Sequence, residues 1–215
     1  MDRKALYSII LAIVVIGGIG IGVALYHPAP ANTATAPSGA YNLELVIVPG
    51  LDYNASDSHQ PAYFVYHDGV LQSSAYIAIP SHRLINLTIL DYDSGPGDGT
   101  PSQYLNVTGT VGNVVYGLNA STVNATLASG GNNITINQNA LPIHHMAIAD
   151  IAHTFTVLGL FGTGSNLNVP IGSLMFEFTQ FYANTTGSHP WQCMVPCGPG
   201  AMATPGWMMG TVVVS

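Results

Sequence analysis

Cys193 and Cys197 are the only cysteines of the chain. They lie in the stretch HPWQCMVPCGPGAMATPGWMMGTVVVS, His189 to Ser215, together with Met202, Met208 and Met209. Two thiols and several thioethers in one Gly/Pro-rich loop make a soft-ligand set. Such ligands select copper, and a histidine with a thiolate and a weak methionine is the usual electron-transfer arrangement. The same pair has a competing fate. In an oxidising exterior, cysteines at i and i+4 of a loop form a disulfide when their Cα atoms come within about 4.4 to 6.8 Å. Met208 and Met209 then become core fillers under Trp207.

The order of aromatic residue, Cys, Gly/Pro loop, Met, Gly and β-branched run resembles the C-terminal ligand loop of the cupredoxins. Cys193-x-x-x-Cys197-Gly198 is most similar to the two-cysteine loop of haem-copper oxidase subunit II. Val195-Pro196 and Met208-x-Gly210 resemble the sulfocyanin and rusticyanin loops. Two further segments carry the likeness. Ala75 to Asp93 resembles the strand pair that runs toward the first copper ligand, and Ile151-Ala152-His153-Thr154-Phe155-Thr156-Val157 resembles the strand that this ligand begins.

The resemblance implies copper held by His153, Cys193, Cys197 and Met208, with His153 and Met208 as end ligands and the two sulfurs delocalising the redox electron. It departs from the family at one place. A histidine should follow the cysteines at residue 201, or near 198 with the one-cysteine spacing, and the chain has Ala201 and Gly198 there. No histidine lies beyond His189. His144 and His145 are candidates to supply the second imidazole, their other reading being a polar turn. His189 is expected to be structural. For His153 the alternative to ligation is a strand-capping hydrogen bond.

The elements that must position these residues are strands. Leu43 to Val48, Ala62 to Tyr66, Ser74 to Ile79, Leu84 to Leu90 and Ser173 to Tyr182 are short apolar runs divided by Pro49-Gly50, His67-Asp68-Gly69 and Gly/Asp/Pro clusters. Runs of this length with these turns predict an all-β sandwich, and the resemblance makes it a cupredoxin-like Greek key. Residues 41–215 are expected to form one such domain, with 94–139, polar and Gly/Asn/Thr-rich, as an insertion carrying a hairpin or two. In the Ser173–Tyr182 run, Leu174, Phe176, Phe178 and the alternate positions are expected to form a strand buried on both sides. Glu177 is expected at an edge, because a charged carboxylate inside is costly and Arg83 is the only cation at hand.

Ahead of this domain, Arg3 and Lys4 precede an uncharged stretch from Ala5 to Tyr26, long enough to cross a hydrocarbon core about 30 Å thick. Residues 1–4 are therefore expected in the cytoplasm, 5–26 as a retained transmembrane helix, its other reading being a cleaved signal sequence, 27–40 as a Pro/Ala/Thr linker and the domain outside the cell membrane. Charged residues are 6% of the chain and the formal net charge is −7. That balance excludes a nucleic-acid partner, which needs Lys and Arg against its phosphates. Asn-x-Ser/Thr acceptors at Asn54, Asn86, Asn106, Asn119, Asn124, Asn133 and Asn184 offer glycans in place of charge. No Gly-x-Ser-x-Gly elbow, HExxH or phosphate loop is present, so the chain is not expected to be a catalyst on its own. The resulting expectation is a membrane-anchored protein associated with respiratory terminal-oxidase subunits, passing electrons with copper or holding the complex together without it. The alternative is a glycosylated, metal-free surface or adhesion protein.

Overall fold

A computed structural model of the chain describes residues 39–50, 60–95, 97–119 and 140–215. The candidate membrane helix 5–26, the N-terminus 1–4, most of the linker 27–40, Asn54, Asn124, Asn133 and the side chain of Asn119 lie outside them. Among the described residues no helix is long and apolar enough to cross a membrane.

The strands in order are β1 (Tyr41–Val48), β2 (Ala62–His67), β3 (Val70–Ser73), β4 (Tyr76–Ile79), β5 (Leu84–Asp91), β6 (Val115–Asn119), β7 (Leu141–Ile143), β8 (Ile151–Val157), β9 (Leu167–Gly172), β10 (Met175–Tyr182), β11 (Gly187–Gln192) and β12 (Met209–Val214). They form a seven-stranded sheet, β3-β2-β1-β5-β10-β6-β7, and a five-stranded sheet, β4-β12-β11-β8-β9. The all-β architecture expected from the runs and turns is the one observed. Most neighbours are antiparallel, but β1 runs parallel to β5 and β12 parallel to β4.

Alternation explains the inner faces. Leu43, Leu45 and Ile47 of β1 and Ile85, Leu87 and Ile89 of β5 are buried in one core with Phe155, Val157, Trp191 and Val212 of the other sheet. The His67-Asp68-Gly69 turn works as read, with Asp68 at φ 49° and Gly69 at φ 83°. That is the double positive φ a tight hairpin needs, and it creates β3, which is exposed along its length and so gave no alternating signal. Near the site the core is aromatic. The Trp191 ring lies 5.1 Å from Tyr63 and 5.6 Å from Phe155, and its Nε1 donates to the Ser74 carbonyl at 2.9 Å.

Strand β10 corrects two expectations. Leu174 sits in the turn before the strand at φ 54° and is 38% exposed, while Phe176 and Phe178 are only partly buried. The inward positions are Glu177, Thr179 and Phe181. The run is apolar on both faces, so its composition carries no phase, and Phe176 packs outward with Leu90 and Tyr92. Glu177 is not at an edge. It is fully buried on a strand flanked by β5 and β6. Burial raises its pKa to about 8, so it sits there as the neutral acid and accepts the Gly172 N–H at 2.9 Å.

The described part of 94–139 joins both sheets. Strand β6 pairs with β10 and β7, and the 3-10 turn Ser102–Leu105 leads to a segment bridged to β9 through Thr108 and Asn168. Asn168 Nδ2 donates to the carbonyls of Tyr104 and Asn106 at 3.0 and 2.7 Å. The same Asn168 side chain accepts the buried Thr156 hydroxyl at Oδ1, 2.6 Å away. Of the glycosylation acceptors, Asn106 and Asn184 are exposed. Asn86 lies within β5, and its Nδ2 donates to Asn42 Oδ1 at 2.8 Å.

Candidate metal centre

His153 is the third residue of β8, where the pairing with β9 shifts register between Ile151 and His153. A bulge re-aims the side chain beside it. The imidazole here is 2% exposed, with its ring edge-on to Tyr63 at 6.4 Å. Cys193 follows the last residue of β11, and β11 pairs with β8 through Gln192 and Thr156. That pairing carries Cys193 to the start of β8, where its Sγ accepts the Thr154 N–H at 3.4 Å. The loop base closes when the Cys193 N–H donates to the Met208 carbonyl at 2.8 Å.

The outcome is a compact donor group. His153 Nδ1 lies 3.3 Å from Cys197 Sγ and 3.9 Å from Cys193 Sγ, and the two sulfurs are 3.4 Å apart as free thiols. All three ligand atoms fall within 4.8 Å of one another. The other ring nitrogen is engaged: Nε2 donates to Asp93 Oδ2 at 3.1 Å. A carboxylate only accepts, so the neutral ring carries its proton on Nε2 and turns a lone pair at Nδ1 toward the sulfurs. Ligating histidines are commonly held by such a carboxylate. Asp93, just past β5, was missed in the sequence because one carboxylate after a strand forms no motif.

Electrostatics divide the protons among the group. Burial would raise the Cys193 thiol, but hydrogen bonds from Cys197 and His153 take it well below its ordinary value. The Cys197 thiol, donating to Cys193 and itself largely buried, is held far above its ordinary value. Burial would lower His153, yet its bonds to Asp93 and Cys193 raise it to about 10. Asp93 is lowered: burial opposes this, and the His153 hydrogen bond outweighs it. Without metal, Cys193 is the thiol of the pair that gives up its proton more readily, while His153 and Cys197 hold theirs against it. A Cys–His–Asp relay can serve a nucleophile, but Cys193 and His153 are 0% and 2% exposed, which closes them to a substrate.

Three of the four expected ligands are thus brought together: His153, Cys193 and Cys197. Met208 is fully buried beside Cys193 along the backbone. His144 and His145 turn to other partners, Nδ1 of each meeting the Asn113 carbonyl at 2.7 Å and Asn106 Oδ1 at 3.0 Å. His189 is structural, its Nε2 at 3.0 Å from the Thr185 carbonyl. Ala201 is buried in the core.

No family model matches the chain, and no curated protein matches it. Among solved structures it is similar to reduced rusticyanin, at 18% identity over 83% of this chain and 81% of that one, with a TM-score of 0.32. It is also similar to a blue copper oxidase from Nitrosomonas europaea, at 10% identity, 88% of this chain, 47% of that one and a TM-score of 0.37. A multicopper oxidase from Pediococcus acidilactici matches at 9% identity, 87% of this chain, 28% of that one and a TM-score of 0.32. The chain spans less than half the length of either oxidase. At these scores the likeness decides nothing about function, and the sandwich rests on the strand pairing above.

Proposed function

We propose that the chain is a cupredoxin-type copper protein whose ion is held by His153, Cys193 and Cys197, with Met208 as a weak fourth ligand. The observation that carries this reading is the convergence of one buried imidazole nitrogen and two sulfurs within 4.8 Å, with Asp93 holding the far side of the ring. Imidazole and thiolate together suit copper rather than a hard cation. Bound copper would supply a one-electron couple. The protein's part is to keep the donors dry and fixed between two sheets, so that little has to move when charge changes.

The apolar stretch 5–26 supports a cell-membrane anchor with the domain outside, and the two-cysteine loop supports association with subunits of a respiratory terminal oxidase. The test is metal analysis with a visible spectrum on the purified full-length chain, alongside a thiol count. One copper or a copper pair per chain with thiolate-to-copper absorption supports the reading. No copper after reconstitution of the reduced chain sinks it.

A second reading is favoured by one distance. The sulfurs at 3.4 Å stand close enough for a small rotation to join them, which gives a metal-free sandwich closed by a Cys193–Cys197 disulfide. Its role would then be structural, as a copper-less oxidase subunit or a glycosylated surface protein. Absence of both copper and free thiol in the non-reduced protein would select it.

A further inference from the structure

The ligand loop from Cys193 to Met208 is tied at its base by Cys193 and Met208, but Cys197 sits farther out and is the less buried of the two thiols. Something must hold the middle of the loop if Cys197 is to stay against His153. An imidazole at residue 201 would have done so through the metal, and Ala201 cannot. The Ala201 N–H instead donates to Gln60 Oε1. The same amide lies across Gly198 and Gly200 of the loop. A Cβ added at Gly198 would come within 2.9 Å of the Gln60 side chain, and one at Gly200 within 2.8 Å.

Gln60 also sits just before β2, and β2 grips the rest of the site. The Tyr63 N–H donates to the Trp207 carbonyl at 2.9 Å, near the far end of the loop. The Tyr63 hydroxyl donates to the carbonyl of Thr154 at 3.0 Å, next to His153. Residues 60–63 therefore touch the loop at its middle and end, and the histidine strand at its start. We infer that Gln60 is a positioning residue that takes over the anchoring role of the absent second imidazole, fixing Cys197 against His153 whether or not metal is bound. The inference rests on the metal-site reading only for what the loop holds; the clamp itself is legible on the thiols.

The test is the rate at which a maleimide alkylates Cys197 in the full-length, reduced, metal-free chain. Gln60→Ala should raise it about fivefold, the local opening expected for one lost hydrogen bond. The added rate should depend little on urea, the mark of local rather than global opening. Gln60→Glu keeps an acceptor for the Ala201 N–H and should restore the slow rate. Gly200→Ala, which forces the amide aside without removing it, should be fast, and it decides the matter if Gln60→Ala fails to fold. Unchanged alkylation in either folded variant overturns the clamp. Failure of the protein to take up copper would leave this result standing, so the two ideas fail separately.

Discussion

The His153 ring is fixed from behind by Asp93, Nε2 to Oδ2 at 3.1 Å, and this contact leaves Nδ1 as the nitrogen that faces the sulfurs of Cys193 and Cys197. Replacing Asp93 by Asn keeps the shape and removes the charge that holds the ring and raises its basicity. Losses for such outer contacts run to about 10- to 100-fold in metal affinity. Competition with a calibrated chelator measures it, and an affinity equal to wild type would show that Asp93 does not orient the ligand.

Metal uptake should release protons. At pH 7 His153, raised to about 10, and Cys197, raised above its ordinary value, both hold a proton that ligation must displace, whereas Cys193 is lowered and parts with its own more readily. About two protons should leave per ion, so affinity should rise with pH through the neutral range. Titration in weak buffer with a pH indicator reads the number directly. Zero release would mean that neither His153 nor Cys197 ligates, since each must give up its proton to do so.

Glu177 predicts an inverted pH profile of stability. Its pKa goes from 4.5 to about 8 on folding, so between these values the folded state binds the extra proton. The stability of the neutral acid is present in full below about pH 4.5, falls as pH rises from there, and levels off past about 8. Glu177→Gln should remove this dependence and gain on the order of a few kcal/mol over wild type at pH 9, while changing little at pH 5. Melting curves at the two pH values test it, and a gain equal at both would mean that ionisation is not the cause. Asp91, raised to about 7 by burial, adds a component of the same sign.

Gly210 lies where β12 passes between Trp191 and β4. A Cβ there would come within 2.6 Å of the Ser74 carbonyl oxygen and 2.8 Å of that of Ala75. Both are backbone atoms that cannot swing away, and the Trp191 indole nitrogen is as close. Gly210→Ala should cost about 1 to 3 kcal/mol, read as a lower urea midpoint with an unchanged slope. A variant as stable as wild type would show that β4 and β12 separate easily.

Much of the strand layout is legible in the sequence, because apolar runs such as Leu43–Val48 and Leu84–Leu90 end at Pro, Gly and Asp turns that bound real strands. His153, Cys193 and Cys197 were legible only as a pattern of types. What unites residues separated by 40 positions, as His153 and Cys193 are, is the β8–β11 pairing, and one chain does not display pairing. Asp93 and Gln60 carry no signal of their own: their roles come from the ring and the loop they face. Both sides of β10 read as buried because its outward side is also aromatic, whereas only the side of Glu177, Thr179 and Phe181 is; Glu177 was misplaced because a buried carboxyl was assumed to be charged.

The parallel pairing of β4 with β12, Ile77 beside Val212, has a consequence for assembly. Contacts so distant along the chain are slow to form, since a long loop must close before any of them is rewarded. During synthesis β4 waits as an open strand edge until residues 209–214 arrive, and Cys193 cannot be seated earlier because its amide is bound by Met208. The thiols are therefore the last chemistry to be hidden, and a nascent chain presents them uncovered to whatever metal or oxidant it meets first.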